Sequence, residues 1–264
     1  GAAGVALDDA SSALVAGTTA SADFPVTQGA WDVHLDGTDA FLARLDPAGN
    51  GLLYATFVGG QAWEQGQGVA VDAAGQAVLV GNTASPDLPT TAGALGTALA
   101  GETDAFVARL NPAGTALLYG SYVGGSQAES ARDVGLDAAG NAYVSGASRS
   151  PDFPVSDGSF GTAHAGGQDA FLLKLDPAGT LAYAGLLGGG GDDWGLAVSV
   201  DAGGSATLAG SSTAFPLTGE ASAAGGTGQG YDAFVARVDE FGSALVHASA
   251  LGGGEEDYAA AVAV

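Results

Sequence analysis

The sequence predicts an all-β fold, a β-propeller built of four-stranded antiparallel blades, and three observations carry that expectation. One stretch recurs four times: DAFLARLDPAG from Asp39, DAFVARLNPAG from Asp104, DAFLLKLDPAG from Asp169 and DAFVARVDEFG from Asp232, at spacings of 65, 65 and 63 residues. A fixed period of this size marks a repeat architecture. Each period divides into four short runs rich in Val, Ala, Leu and Tyr, too brief for helices and bounded by Gly, Pro and Asp. Uniform units of four antiparallel strands are what a propeller stacks, whereas a β-sandwich has no need of such uniformity.

The second period shows the pattern. Gly68 to Asp72 is strand A, closed by the tight turn Ala73-Ala74-Gly75, and Gln76 to Gly81 is strand B. A longer segment from Asn82 to Thr103, carrying Pro86 and Pro89, leads to strand C at Asp104 to Leu110. Asn111-Pro112-Ala113-Gly114 then turns into strand D, Ala116 to Val123, and Gly124-Gly125 leads on. The Asp/Asn-Pro-Ala-Gly turns combine an Asx-type start, a proline of preset φ and a glycine for the left-handed exit. Strand A is small and plain, which suits a crowded innermost position; strand D carries aromatics, which suits a wider rim. The blades are expected at 1–60, 61–125, 126–189 and 190–253. Residues 254–264, ending Ala260-Ala261-Val262-Ala263-Val264, read as one extra inner strand, the first of a fifth blade. A closed four-bladed ring has no slot for it, so the chain is expected to be a stretch of a longer propeller or a protomer whose spare strand pairs with another chain.

The motifs GVAVDAAGQAVLVG, SPDLPTT, DAFVARLNPAG and LLYGSYVGG, in that order, resemble the bacterial β-propeller repeat family known as SBBP, over nearly the whole chain. The resemblance implies a propeller fold and an extracellular or cell-surface bacterial location, and no activity. Blade four departs from the pattern: Ala214 stands where Asp23, Asp87 and Asp152 stand elsewhere, and Glu240-Phe241-Gly242 replaces Pro-Ala-Gly.

Composition narrows the function classes. A chain of 264 residues with 47% hydrophobic residues can bury a sizeable core despite a net charge of -23. Such acidity disfavours nucleic acid and anionic membrane surfaces as partners and favours cations or basic proteins. No apolar run is long enough to span a bilayer as a helix. Zero Cys removes disulfides, thiolate metal sites and Cys nucleophiles. Zero Met means Gly1 is not a translation start, so a processed or truncated product is expected.

Antiparallel order places the A–B and C–D turns on one rim and the long B–C loop and Gly-Gly connection on the other. Most of the 29 acids then fall on the long-loop rim, Asp39, Glu64, Asp104, Glu129, Asp133, Asp169 and Glu220 among them, together with Trp31, Trp63 and Trp194. Its densest clusters, Asp192-Asp193 and Glu255-Glu256-Asp257, are the candidate Ca²⁺ ligands, since a hard cation takes carboxylate and carbonyl oxygens. No D-x-D-x-D-G loop accompanies them, and an acidic rim equally serves to keep an Ala- and Gly-rich chain in solution. The three tryptophans either form a glycan-stacking platform or fill gaps between loops.

The repeat itself argues about roles. Asp39, Asp104, Asp169 and Asp232 recur at the start of strand C and are expected to accept backbone N–H bonds there. Arg44, Arg109, Lys174 and Arg237 share one position and are expected to pair with turn acids such as Asp72, Asp137 and Asp201. His247 falls where Tyr54, Tyr119 and Tyr183 stand, which makes it a substitute for a packing tyrosine. There is no G-x-S-x-G, H-E-x-x-H, P-loop or dinucleotide motif. A non-enzymatic structural or interaction module, self-assembling through an unpaired blade edge, is the first reading. A cation-dependent carbohydrate or protein binder and a glycan-active enzyme stand behind it.

Overall fold

The computed structural model describes residues 1–215 and 230–264. Among these residues are sixteen strands in four four-stranded antiparallel sheets. Sheet 1 is β1 (Ala2–Leu7), β2 (Ala13–Thr19), β3 (Asp39–Leu45) and β4 (Leu52–Val58). Sheet 2 is β5 (Glu64–Val71), β6 (Ala77–Thr83), β7 (Asp104–Leu110) and β8 (Leu117–Val123). Sheet 3 is β9 (Glu129–Leu136), β10 (Ala142–Ser148), β11 (Asp169–Leu175) and β12 (Leu181–Leu187). Sheet 4 is β13 (Asp193–Val200), β14 (Ala206–Ser212), β15 (Asp232–Val238) and β16 (Leu245–Leu251). Strands follow one another in space as in sequence within every sheet. Each first strand meets those of the neighbouring sheets, and β1, β5, β9 and β13 all line one cavity of about 260 Å³.

The turns close as their residues require. In the first C–D turn the Asp46 carbonyl accepts from Gly49 N–H at 2.9 Å while its carboxylate accepts from Asn50 N–H at 3.1 Å. The glycine takes the left-handed conformation, φ 71°, that a Cβ would oppose. The A–B turns repeat the device through Asp72, Asp137 and Asp201. The first strand of sheet 2 begins at Glu64, four residues before the expected Gly68, and accommodates a register shift between Gly66 and Gly68. Glu64-Gln65-Gly66-Gln67 is polar and reads as loop; pairing with β6 is what makes it strand.

The core lies between sheets, not within them. Along strand C, alternate side chains face opposite neighbours. Leu42 of β3 joins Val69, Leu79 and Phe106 of sheet 2 in one cluster. Val107 of β7 joins Val134, Val144 and Leu173 of sheet 3, and Leu172 of β11 joins Val198, Leu208 and Phe234 of sheet 4. Each sheet thus has a leading face turned to its predecessor and a trailing face turned to its successor.

The extra inner strand expected within 254–264 is not formed. Asp257 N–H bonds Tyr231 O at 2.7 Å, as Glu64 N–H bonds Thr38 O at 2.7 Å, so the segment starts out along the first-strand path. Among the described residues no second strand lies beside it to supply a ladder, and a lone strand leaves its backbone groups unpaired.

Candidate functional site: the acidic joints between sheets

At the long-loop rim, each crossing from one sheet to the next is built from a Gly-Gly bend and a set of carboxylates. In the first joint, Gly60 N–H donates to Glu64 Oε2 at 2.8 Å, Gln61 N–H to Asp87 Oδ1 at 2.9 Å and Ala62 N–H to Ser85 Oγ at 2.8 Å. Thr83 Oγ1–H donates to the other Glu64 oxygen at 2.6 Å. A Cβ on Gly59 would lie 2.6 Å from Glu64 Oε2 and 2.7 Å from Asp39 Oδ1, so only glycine fits between the two carboxyl groups. The second joint repeats the arrangement: Gly125, Ser126 and Gln127 amides bond Glu129, Asp152 and Ser150, each at 2.8 Å. In the third, Gly189 N–H bonds Asp193 at 2.9 Å and Asp192 N–H bonds Thr213 at 3.0 Å, and Ala214 supplies nothing where the earlier joints have Asp.

The strand-start aspartates take the expected role where their loops are described. Asp104 accepts the Ala100 and Gly101 amides at 2.9 and 3.1 Å, and Asp169 the Ala165 amide at 2.7 Å. Asp39 receives a longer bond, 3.4 Å, from Asp36. The loop leading into Asp232 is largely outside the described residues.

These carboxyl groups do not form the charged surface that the sequence suggests. Asp39, Glu64, Asp104, Glu129, Asp169 and Asp193 are all buried. Burial, reinforced by repulsion from Glu64, Asp32 and Asp36, pushes Asp39 up to about 7 against the backbone bond that it accepts. Burial, with repulsion from Asp193, raises Asp169 to about 6. Burial likewise raises Asp104, Glu129 and Asp193. One oxygen each of Asp39, Asp169 and Asp193 has no hydrogen-bond partner. At Asp39 and Asp169 the joints hold a carboxyl group that keeps its proton above the ordinary carboxylate range.

Other acids assigned to this rim also lie elsewhere. Asp133 stands in the wall of the central cavity, accepting the Val134 and Val198 amides at 2.8 and 2.9 Å and so tying β9 to β13. The long loop runs down the outer edge of its sheet: Thr27 N–H bonds Ala55 O, Phe57 N–H bonds Asp32 O, and Trp31 N–H reaches Gly114 O in a C–D turn of the next sheet. Trp31 is therefore packed near the opposite rim, Trp63 is exposed at the first joint, and Trp194 lies under the Arg132 guanidinium at 5.2 Å. Of the two readings of the three tryptophans, a shared platform is not assembled, since Trp31, Trp63 and Trp194 lie apart. Glu220 lies outside the described residues.

The candidate cation ligands fall in two separate places, the third joint and the bend that follows β16. Asp193 is buried in the third and spends one oxygen on Gly189, while Asp192 lies at its edge, 3.4 Å from Tyr231 Oη. In the Gly-Gly bend after β16, Asp257 accepts from Gly253 N–H at 2.8 Å, Glu256 accepts from Tyr258 O–H at 2.7 Å, and Glu255 is exposed. Among the described residues, no three His, Cys, Asp or Glu side chains converge to hold an ion.

The opposite rim is held by cations. Arg44 pairs with Asp8, Arg109 with Asp72, Arg237 with Asp201, and Lys174 with Asp137 at 3.8 Å. Arg109 also crosses to the following sheet, donating to Gly140 O at 2.8 Å, and Arg44 reaches Pro112 O at 3.0 Å. His247 pairs with Arg237 as Tyr54 pairs with Arg44, which places it at the tyrosine position.

Glu64 and Glu129, which the sequence places on a charged rim, are instead buried acceptors of the bend amides, and Ser85 and Ser150 cap the neighbouring amides. A signal for both was present. An acid stands four residues after the second glycine in Gly60…Glu64, Gly125…Glu129, Gly189…Asp193 and Gly253…Asp257, and Ser-Pro-Asp recurs at Ser85 and Ser150.

No protein-family model matches the chain, and no curated protein matches it.

Proposed function

We propose that this chain is a β-propeller repeat module of the SBBP kind that works outside the bacterial cell or on its surface, as a non-enzymatic structural and interaction element. One observation carries the reading: the groups able to do acid–base or ionic chemistry recur once per repeat and are spent on joining one sheet to the next. Glu64 and Glu129 receive the bend amides, Asp39 and Asp104 stand behind the glycines, and Arg44 and Arg109 clamp the next sheet. A catalytic centre needs one place unlike the others, with an acid and a base in different environments. Repeat symmetry supports cohesion instead. The resemblance of the repeat motifs to secreted and surface proteins supports the location.

The test is to incubate the protein with peptidoglycan, acidic and neutral polysaccharides and a peptide library, and to follow product by mass spectrometry. No turnover is expected. Turnover abolished by a single carboxylate substitution such as Glu129→Gln, in a variant that keeps its fold, would contradict the reading.

A further inference from the structure

Every first strand carries a register shift at the same place, which leaves one extra residue on that strand: Ala3 in β1, Gln67 in β5, Arg132 in β9 and Leu196 in β13. Such a bulge re-aims the extra side chain out of the ladder. All four of these residues line the cavity of about 260 Å³ at which the first strands meet. Much of the fold repeats from sheet to sheet, but this position does not, and in β9 it carries a charge. Arg132 also stands apart from the other basic residues. Arg44, Arg109, Lys174 and Arg237 are spent on ion pairs at the opposite rim, and the exposed Arg149 donates to Gln168 at 3.3 Å. Among the described residues Arg132 makes no ion pair, and its Nε is buried without a hydrogen-bond partner. Its guanidinium lies over the Trp194 ring, 5.2 Å from the centroid, and burial lowers its pKa. Asp133, beside it in the cavity wall, is committed elsewhere, since its two oxygens accept the Val134 and Val198 amides. A cation held off water without a partner costs stability, and the other three sheets fill the same bulge with Ala, Gln and Leu.

We propose that this cavity binds a small monocarboxylate with an aliphatic body, its carboxylate on the Arg132 guanidinium and its chain against Val69 and Leu196. The inference goes beyond the reading of the chain as a structural and interaction element, and adds a ligand to it. Three features select the ligand class. The guanidinium presents its N–H donors in a planar fork that matches the two oxygens of a carboxylate. A single negative charge is favoured over two, because Asp133 shares the wall and the whole chain carries -23. Val69, Leu196 and Ala197 give the wall an apolar part, and a cavity of about 260 Å³ is smaller than the roughly 300–1,000 Å³ that drug-sized ligands fill. Binding is not followed by turnover. Among the described residues of the wall, Arg132 and Asp133 are the titratable groups; the first stays protonated and the second has both oxygens occupied.

Nuclear magnetic resonance of the ¹⁵N-labelled chain, titrated with sodium butyrate, tests it. The expected result is a saturable shift of the Arg132 Nε–H signal and of the Val69, Asp133 and Leu196 amides, with no such shift from sodium chloride at the same ionic strength. Arg132→Gln is expected to weaken butyrate binding by roughly tenfold or more, the loss of a charge-assisted hydrogen-bonded pair. Gln67→Glu alters the side chain little in size and adds a negative charge to the same cavity. It is expected to weaken binding as well, and it decides the matter if the Arg132 variant does not fold. Inorganic phosphate is expected to bind more weakly than butyrate. Shifts that do not saturate, that chloride reproduces, or that fall away from the cavity would overturn the proposal. So would butyrate affinity unchanged in a folded Arg132→Gln and in Gln67→Glu, or phosphate bound more tightly than butyrate. Turnover is not read in any of these titrations, so this proposal and the functional reading fail separately.

Discussion

Arg109 and Arg237 hold the same position in the repeat and differ in what covers them. The Arg109 side chain is 1% exposed, bonded to Asp72, to Gln76 at 2.9 Å and to Gly140 O; that of Arg237 is 45% exposed. Arg109→Ala leaves a half-buried carboxylate and the buried Gly140 carbonyl without their partner and is expected to cost about 3 kcal/mol. Arg237→Ala breaks a solvent-screened pair and is expected to cost about 1 kcal/mol or less, both read from denaturant unfolding. The joint carboxyls give a pH dependence of definite sign. Asp39 holds its proton up to about 7 in the folded state, whereas an aspartate in the unfolded chain ionises near ~3.9. Between those values the folded state binds more protons, so this group's contribution to stability falls as pH rises from about 4 to about 7 and is level above. Asp169, raised to about 6, acts in the same direction. Asp137 opposes them at the acid end: burial pushes it up, but bonds from Asn141 and Tyr143 and the charge of Lys174 outweigh that and lower it, so its contribution is lost as pH falls below the ordinary carboxylate range. Melting curves are expected to peak on the acid side of neutral, and Asp39→Asn is expected to flatten the decline toward pH 7.

At the scale of the element, turn and joint are distinguished by what adjoins them. Gly114 and Gly49 both sit at positive φ, 66° and 71°, but a Cβ on Gly114 would overlap the Tyr54 ring and one on Gly49 meets open space. Gly49→Ala is expected to cost only the left-handed backbone penalty, about 1–2 kcal/mol. Gly114→Ala is expected to cost clearly more, because the ring must move as well; thermal unfolding of the two variants compares them. Ser85→Ala likewise uncaps a bend amide, while Ser21→Ala removes no cap. These local devices mark what was legible in the sequence. The strands follow from their short apolar runs, and the turns follow from Asp-Pro-Ala-Gly, because both depend on residues adjacent in the chain. The joints do not, since Asp39 meets Glu64 only after two sheets have stacked, and Ser85 meets Ala62 only once β5 and β6 have paired to their ends. For the same reason the acids read as a charged rim, although burial and proton retention remove several of them from it. The descent of Trp31 to Gly114 depends on the loop's bonds along β4, which no motif announces.

For the whole molecule, stacking without internal cores makes cohesion a sum over neighbours. Leu172→Ala empties a fully buried site between sheets 3 and 4 and is expected to cost about 2–5 kcal/mol in equilibrium unfolding. Val235→Ala, on the unmet trailing face, is expected to change the stability of the single chain by about 0.5 kcal/mol or less. The same logic explains why sheet 1's leading side forms only a small cluster of Phe41, Ala43 and Ala55 under Val15 and Phe24: half of its interface is absent. Hydrogen exchange resolved by strand tests the central claim, that the core lies between sheets, most directly. In dilute protein, slowest exchange is expected in sheets 2 and 3, which have neighbours on both sides, with faster exchange in sheets 1 and 4. Protection that is uniform across the four sheets, or greatest in the end sheets, would contradict the account.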